Sequence, residues 1–299
     1  MKKSIALDIG GTKIAAGIVT ESGELSHRME LKSDVTSSET LFNQVVQLIN
    51  QLVTDSGTSL DEIAGIGVGV PGKVDIPNGV AVFQNNIPWE NFPVVKRLKE
   101  IFEVKTIVID NDVYMAAYAE WKMAQMSNEE TFVYMTISTG VSCTTIHNGS
   151  FLRGAGFAGE LGLIPVLSES NDSKNERLEQ VGSGPAIKKL AEKKLGLKET
   201  TTKDVFENYT KGVDGYFMII EEIADNLAQG VYAVTSLIDP HKIVFGGSVI
   251  VNNPFLLTVL KEKLKHYLIK EQETMLDRLF ISQIAKNNGI IGAGLSVFK

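Results

Sequence analysis

Short apolar runs closed by glycine alternate along this chain with longer stretches whose apolar residues recur at helical spacing. Ser4–Ile9 is bounded by Gly10-Gly11 and reads as a buried strand. A second strand, Lys13–Val19, follows at once, and Glu21-Ser22-Gly23 turns the chain into a third near Leu25–Leu31. Thr36 with Glu39 three residues later forms a capping box. Leu41, Phe42, Val45, Val46, Leu48, Ile49, Leu52 and Val53 then repeat as one helical face. Ile63–Val70 is another buried strand, stopped by Pro71-Gly72. Val95–Phe102 reads as a helix, Thr106–Ile109 as a strand ending on Asp110-Asn111-Asp112, and residues 113–126 as a helix.

The second half opens the way the first does. Phe132–Ile137, a Ser138-Thr139-Gly140 turn and a return strand to His147 lead into Asn148-Gly149, a strong hairpin signal. Ile9 and Ile18 stand nine residues apart, as do Ile137 and Ile146, so a duplicated unit is expected. Residues 168–180 are polar and read as loop, and helical patterns dominate 185–237. A strand at Lys242–Phe245 reaches Gly246-Gly247, a helix runs from Pro254 to Ile269, and a strand at Leu279–Ile284 precedes a Gly-rich helix, Gly289–Phe298. Strands alternating with helices imply an α/β fold with parallel pairing.

Composition narrows the class. The 299 residues carry 29 basic and 36 acidic side chains, a net charge of −7, which argues against a nucleic-acid partner. No stretch approaches the ~20 apolar residues of a membrane span, so no membrane partner is expected. The start, Met1-Lys2-Lys3, runs straight into a strand and does not read as a signal peptide. The single cysteine, Cys143, has no partner for an internal disulfide, which fits a reducing, cytoplasmic setting.

Three segments carry candidate chemistry. In Asp8-Ile9-Gly10-Gly11-Thr12-Lys13 the glycines permit a turn whose amides face an anion, with a hydroxyl from Thr12 and a charge from Lys13. Asp8 can hold a magnesium-bound water beside a phosphate. The segment is no Walker loop, because a strand follows where that motif needs a helix, and an ordinary Gly-Gly hairpin fits it too. Asp110-Asn111-Asp112 sits at the carboxyl end of a strand, where open α/β sheets bind ligands. A carboxylate there can take a proton from an attacking hydroxyl, or it can cap the next helix. Gly246-Gly247 suits either close approach of a nucleotide or tight strand–helix packing.

Taken together and in order, these segments resemble the ROK family of bacterial sugar kinases and repressors, over essentially the whole chain. Asp8–Lys13 resembles its first phosphate loop, and Val70-Pro71-Gly72 and Asn86-Ile87-Pro88-Trp89 its sugar-side loops. Asn111-Asp112 is similar to the pair whose aspartate is the catalytic base. Ala158-Gly159-Glu160-Leu161-Gly162, and Glu179 four residues before Ser183-Gly184, resemble the segments whose glutamates bind sugar hydroxyls. Asp239–Gly247 resembles the nucleotide-side motif. The resemblance implies a two-domain actin-like (ribonuclease H-like) fold with an interdomain cleft. A small domain of residues 1–115 and 286–299 and a large one of 116–285 are expected. It implies ATP and Mg2+ as cofactors, a homodimer, and phosphorylation of a hexose, most simply at the 6-hydroxyl: glucose, N-acetylmannosamine or a β-glucoside. Asp112 is the expected base. Gly72, Asn86, Asn111, Glu160 and Glu179 are the expected sugar contacts. Asp8, Gly10, Gly11, Thr12, Lys13, Thr139, Gly140, Gly246 and Gly247 are the expected cofactor contacts.

Two departures stand out. Most relatives hold a zinc ion with a histidine and cysteines, but here Leu163 occupies the histidine position and residues 164–181 hold no cysteine, so no structural zinc is expected. The second phosphate loop, typically Gly-Thr-Gly-x-Gly-Gly, reads Ser138-Thr139-Gly140-Val141-Ser142-Cys143. That change keeps open a second expectation, a catalytically weak sugar-sensing regulator acting through protein partners. Family repressors carry a helix-turn-helix domain ahead of the phosphate strand, which here starts at residue 4, and this favours the enzyme. An acetate kinase or ATPase of the wider superfamily lacks the sugar-side loops.

Overall fold

The computed structural model describes residues 2–84, 86–155, 157–168 and 175–299. The chain forms two units, Met1–Met126 with Ile284–Lys299, and Ser127–Gln283.

Unit 1 begins with β1 (Lys3–Ile9), β2 (Lys13–Thr20), β3 (Leu25–Lys32), α1 (Ser38–Ser56) and β4 (Ile63–Val70). A small hairpin, β5 (Lys73–Asp75) and β6 (Val80–Phe83), precedes α2 (Val94–Lys99), β7 (Ile107–Asn111) and α3 (Asp112–Met123). The sheet order is β3-β2-β1-β4-β7, with the first three strands antiparallel and β4 and β7 added in parallel. α1 buries Leu41, Phe42, Val45, Leu48, Ile49 and Leu52 in the core that the sheet shares.

Unit 2 runs through β8 (Phe132–Ile137), β9 (Val141–His147), β10 (Ser150–Phe151), β11 (Pro165–Leu167), β12 (Asn175–Arg177), α4 (Leu178–Gly182) and α5 (Gly184–Leu195). It continues through α6 (Thr202–Thr210), α7 (Tyr216–Ile238), β13 (Lys242–Gly246), α8 (Ser248–Val251), α9 (Phe255–Leu264) and β14 (Leu279–Ile281). Its sheet order, β10-β9-β8-β13-β14, repeats that of unit 1 strand for strand in direction and sequence. The expected duplication is therefore a repeat of topology. The last helix, α10 (Asn288–Ser296), returns to unit 1.

Asn148 and Gly149 both take positive φ, 50° and 67°, as the hairpin signal requires. Other expectations need correction. The cap of α1 is Ser37, whose side chain accepts the Thr40 amide. Thr36 is instead drawn into a turn with Asp34, which accepts both its amide and its hydroxyl. Glu39 pairs with Arg97 at 2.8 Å. The helices expected over 95–102 and 254–269 are shorter, α2 and α9. The polar stretch 168–180 is only partly loop: Asn175–Arg177 pairs with Pro165–Leu167, and α4 follows at once. Residues 169–174 of that stretch lie outside the described residues.

Candidate functional site

Unit 1 brings Asp8 and Asp110 to the carboxyl ends of its parallel strands. Asp8 on β1, Gly69 on β4 and Asp110 on β7 stand in register across three neighbouring strands. A Cβ added to Gly69 would lie 3.5 Å from the Met115 Cγ and 3.8 Å from the Asp112 Cα, so β4 runs close beside the first turn of α3.

The three residues at the end of β7 divide their labour. Asp110 is buried and accepts the Asn111 amide at 2.8 Å. Asn111 is the N-cap of α3, its Oδ1 accepting the Val113 amide at 2.9 Å and its Nδ2 donating to the Gly72 carbonyl at 2.9 Å. Capping thus falls to the asparagine, and Asp112 stands half-buried in the first turn, its Oδ1 also accepting from Val113 at 2.9 Å. Burial and then the nearby charge of Asp8 push the Asp112 carboxyl up to about 7, against the lowering pull of the amides at its helix end. Asp8 is pushed up to about 6, chiefly by burial, with Lys13 and Arg28 pulling the other way.

The turn after β1 spends one amide internally, Gly10 donating to the Lys13 carbonyl at 2.9 Å. The Gly11 and Thr12 amides make no protein hydrogen bond among the described residues. A Cβ on Gly11 would come within 2.4 Å of the Asn86 carbonyl, which packs the first turn directly against an expected sugar-side residue. Asn86 is exposed, and its segment is anchored by Trp89, buried, stacked on Phe92 and bonded through Nε1 to the Ser38 carbonyl. Lys13 is held by Glu30 at 3.1 Å, so its charge is shared with a carboxylate. Gly72 sits at φ 75°, its carbonyl fixed by Asn111.

In unit 2, the turn after β8 receives a carboxylate from α4. Glu179 Oε2 accepts the Val141 amide at 3.2 Å, and a Cβ on Gly140 would fall 2.3 Å from that oxygen. Thr139 is exposed, and with Glu179 it borders a cavity of about 390 Å³. Glu160 caps a short 3₁₀ turn, Leu161–Leu163, with its side chain exposed, and Leu163 is likewise exposed. Gly246 packs beneath the Tyr134 hydroxyl, and Gly247 takes φ 85° against the Ile137 carbonyl. A side chain at either position would collide with these neighbours. Ser248, which sequence reasoning passed over, meets Ser138 hydroxyl to hydroxyl at 3.1 Å.

The altered loop is accommodated. The Ser142 hydroxyl donates to the Gly159 carbonyl at 3.2 Å, and the Cys143 side chain turns into the core of unit 2. Burial pushes the Cys143 thiol up to about 12, so it stays protonated. Neither side chain lies among the nearest neighbours of Gly140.

Two half-buried carboxylates with raised pKa, only partly offset by Lys13 and Arg28, suit a divalent cation, and the open amides of Gly11 and Thr12 suit an anion. Among the described residues, no group of three or more His, Cys, Asp or Glu is placed to hold a metal ion alone. No described helix is long and apolar enough to cross a membrane.

The glucokinase of Halalkalibacterium halodurans is 27% identical over 97% of this chain and 93% of its own length. The N-acetylmannosamine kinase of Haemophilus influenzae is 28% identical over 97% of this chain and 94% of its own. Among solved structures, the ROK hexokinase of Thermus thermophilus superposes with a TM-score of 0.82 at 26% identity, covering 99% of this chain and 98% of that one. Its family has the two-domain actin-like fold that the repeated sheets display. The ROK family model matches residues 4–298, and the chain belongs to the ROK family.

Proposed function

We propose that the chain is an ATP-dependent sugar kinase that phosphorylates a hexose or N-acetylhexosamine at its 6-hydroxyl, with Asp112 as general base. The observation that carries this reading is the state of Asp112. Asn111 relieves it of capping, and its pKa near 7 lets it accept a proton at neutral pH. Two of the similar proteins are named as sugar kinases, which supports the substrate class.

Bound ATP and magnesium supply the electrophilic phosphoryl group and neutralise its charge. Asp112 takes the proton of the attacking hydroxyl. In unit 1, Asn111, held by Gly72, and Asn86 are the residues that would contact sugar hydroxyls, and in unit 2 Glu160 and Glu179 are. Within unit 1, Gly11 and Thr12 offer amides and a hydroxyl suited to phosphate; within unit 2, Thr139 and Gly140 do the same. Asp8 would hold magnesium through a water, beside those amides. Ser142 and Cys143 point away from Gly140, where the Glu179 carboxylate stands instead, so these two substitutions do not themselves crowd the turn.

A coupled ADP-release assay with Mg-ATP against glucose, mannose, N-acetylmannosamine, N-acetylglucosamine and cellobiose tests the proposal. Sugar-dependent release is expected. Silence across the panel with sugar binding intact by calorimetry would move the reading to the regulator. We also propose that the protein needs no structural zinc, and one tightly held zinc per purified chain would refute that.

A further inference from the structure

We propose that Asn288 and Gly289, tied to Glu120, are positioning residues for Asp8: they seat the first turn of α10 against its carboxylate and so set its placement relative to Asp112. The inference rests on the kinase reading, in which Asp8 faces the metal.

Three observations carry it. First, a Cβ on Gly289 would meet only Asp8 among its nearest neighbours, at 2.6 Å from Oδ2, 2.8 Å from Cγ and 3.3 Å from Oδ1. The other glycines of α10 have different duties: Gly292 lets the helix approach the Met115 backbone, and Gly294 meets Val19. Gly289 alone clears space for a carboxylate that the chemistry uses. Second, the turn that presents Gly289 is fixed by a buried side chain. Asn288 Oδ1 accepts the Gly289 amide at 2.8 Å, and Asn288 Nδ2 donates to Glu120 Oε1 at 3.1 Å. Both Asn288 and Glu120 are buried, where a broken polar link costs more than the link contributes. Third, Glu120 lies on α3, the helix that starts with Asp112, about 12 Å further along it. One helix therefore carries Asp112 at its tip and, two turns on, grips the element that touches Asp8. Lys13, Arg28 and Glu30 also act on Asp8 electrostatically, but each sits on the β2–β3 side and none sets its position against α3.

The test measures ADP affinity with and without Mg2+ by calorimetry, and thermal melting, on the full chain. Gly289→Ala is expected to lose about tenfold of the Mg2+-dependent gain, the scale for disturbing a group that orients a metal ligand, while metal-free ADP binding stays within about twofold. Asn288→Ala should shift in the same direction. Glu120→Gln, which retains an oxygen acceptor for Asn288, should stay close to the parent. In an Asp8→Ala background, Gly289→Ala should cost neither Mg2+-dependent affinity nor melting temperature. An unchanged Mg2+ dependence in folded Gly289→Ala and Asn288→Ala would overturn the proposal. So would an equal melting loss with and without the Asp8 carboxylate. Should Gly289→Ala fail to fold, Asn288→Ala and its Asp8→Ala double variant carry the same test. A parent that binds ADP without any response to Mg2+ would fault the kinase reading instead, and the melting cycle would still decide whether Gly289 acts through Asp8.

Discussion

The first strands of the two units end alike and carry different chemistry. Asp8 and Thr136 are the penultimate residues of β1 and β8, and each faces a glycine on the neighbouring parallel strand, Gly69 and Gly246. A Cβ at Gly69 would meet only ordinary contacts, the nearest the Met115 side chain at 3.5 Å, whereas the Tyr134 hydroxyl already fills the space at Gly246. The turns that follow differ in the same way. Gly11 is crowded by the neutral backbone of Asn86, while Gly140 is crowded by the carboxylate of Glu179. The duplicated scaffold thus repeats a strand, a turn and a close-approach glycine. What distinguishes the units is the group delivered onto that frame: a fixed acidic pair in unit 1, and a carboxylate brought from α4 in unit 2.

The comparison breaks most sharply at Asp112. Asp112→Ala should lower kcat at least ~100-fold, the lower range for losing a general base, with ADP affinity little changed by calorimetry. Turnover near the parent's would remove Asp112 from the chemistry. In unit 2, Gly140→Ala drives a methyl into Glu179 and Glu179→Gln removes its charge. Both should raise the sugar KM by roughly tenfold, as losing a charged hydrogen bond does. A KM unchanged in both would detach Glu179 from the sugar.

The acidic pair also sets a pH dependence. With Asp112 at about 7, kcat/KM should climb with pH up to about that value and level off above it. Stability runs the other way. Asp8 and Asp112, pushed up to about 6 and about 7 in the folded protein, return to the ordinary value of 3.8 on unfolding, so between about 4 and 7 the native state holds more protons than the unfolded chain. Their contribution is present at low pH and lost as pH rises through that window. Asp112→Asn should therefore gain melting temperature over the parent at pH 8, with the gain shrinking towards pH 4. The smallest effect is expected at Cys143: iodoacetamide should leave the native protein unlabelled and fully active, because the thiol is buried and protonated.

Most strands were legible because buried parallel strands write themselves as short apolar runs ended by glycine or acid, as Ile63–Val70 and Phe132–Ile137 do. The cap of α1 was misread because Thr36 and Ser37 are both good caps, and only Asp34, which engages Thr36, decides between them. The hairpin of β5 and β6 was missed although Pro77-Asn78-Gly79 marks its turn, since three- and four-residue strands carry too little periodicity. At the site, motif order singled out Asp8, Asp112 and Glu179. It did not show that Asn111, rather than an aspartate, caps α3. Nor did it show that Glu179 lies on Gly140, 39 residues earlier in the chain. Glu120 and Asn288 passed unnoticed because a polar residue within a helical pattern reads as solvent-facing until burial is known. The Asn287-Asn288-Gly289 run at a helix start was the one available hint.

The most direct test of the account follows the label from γ-labelled ATP with the hexose panel and identifies its acceptor. Transfer to the 6-position of a hexose or N-acetylhexosamine, seen only when that sugar is present, is the predicted result. Label appearing in inorganic phosphate at a rate indifferent to sugar, or no label movement from a protein that still binds both ATP and sugar, would contradict it.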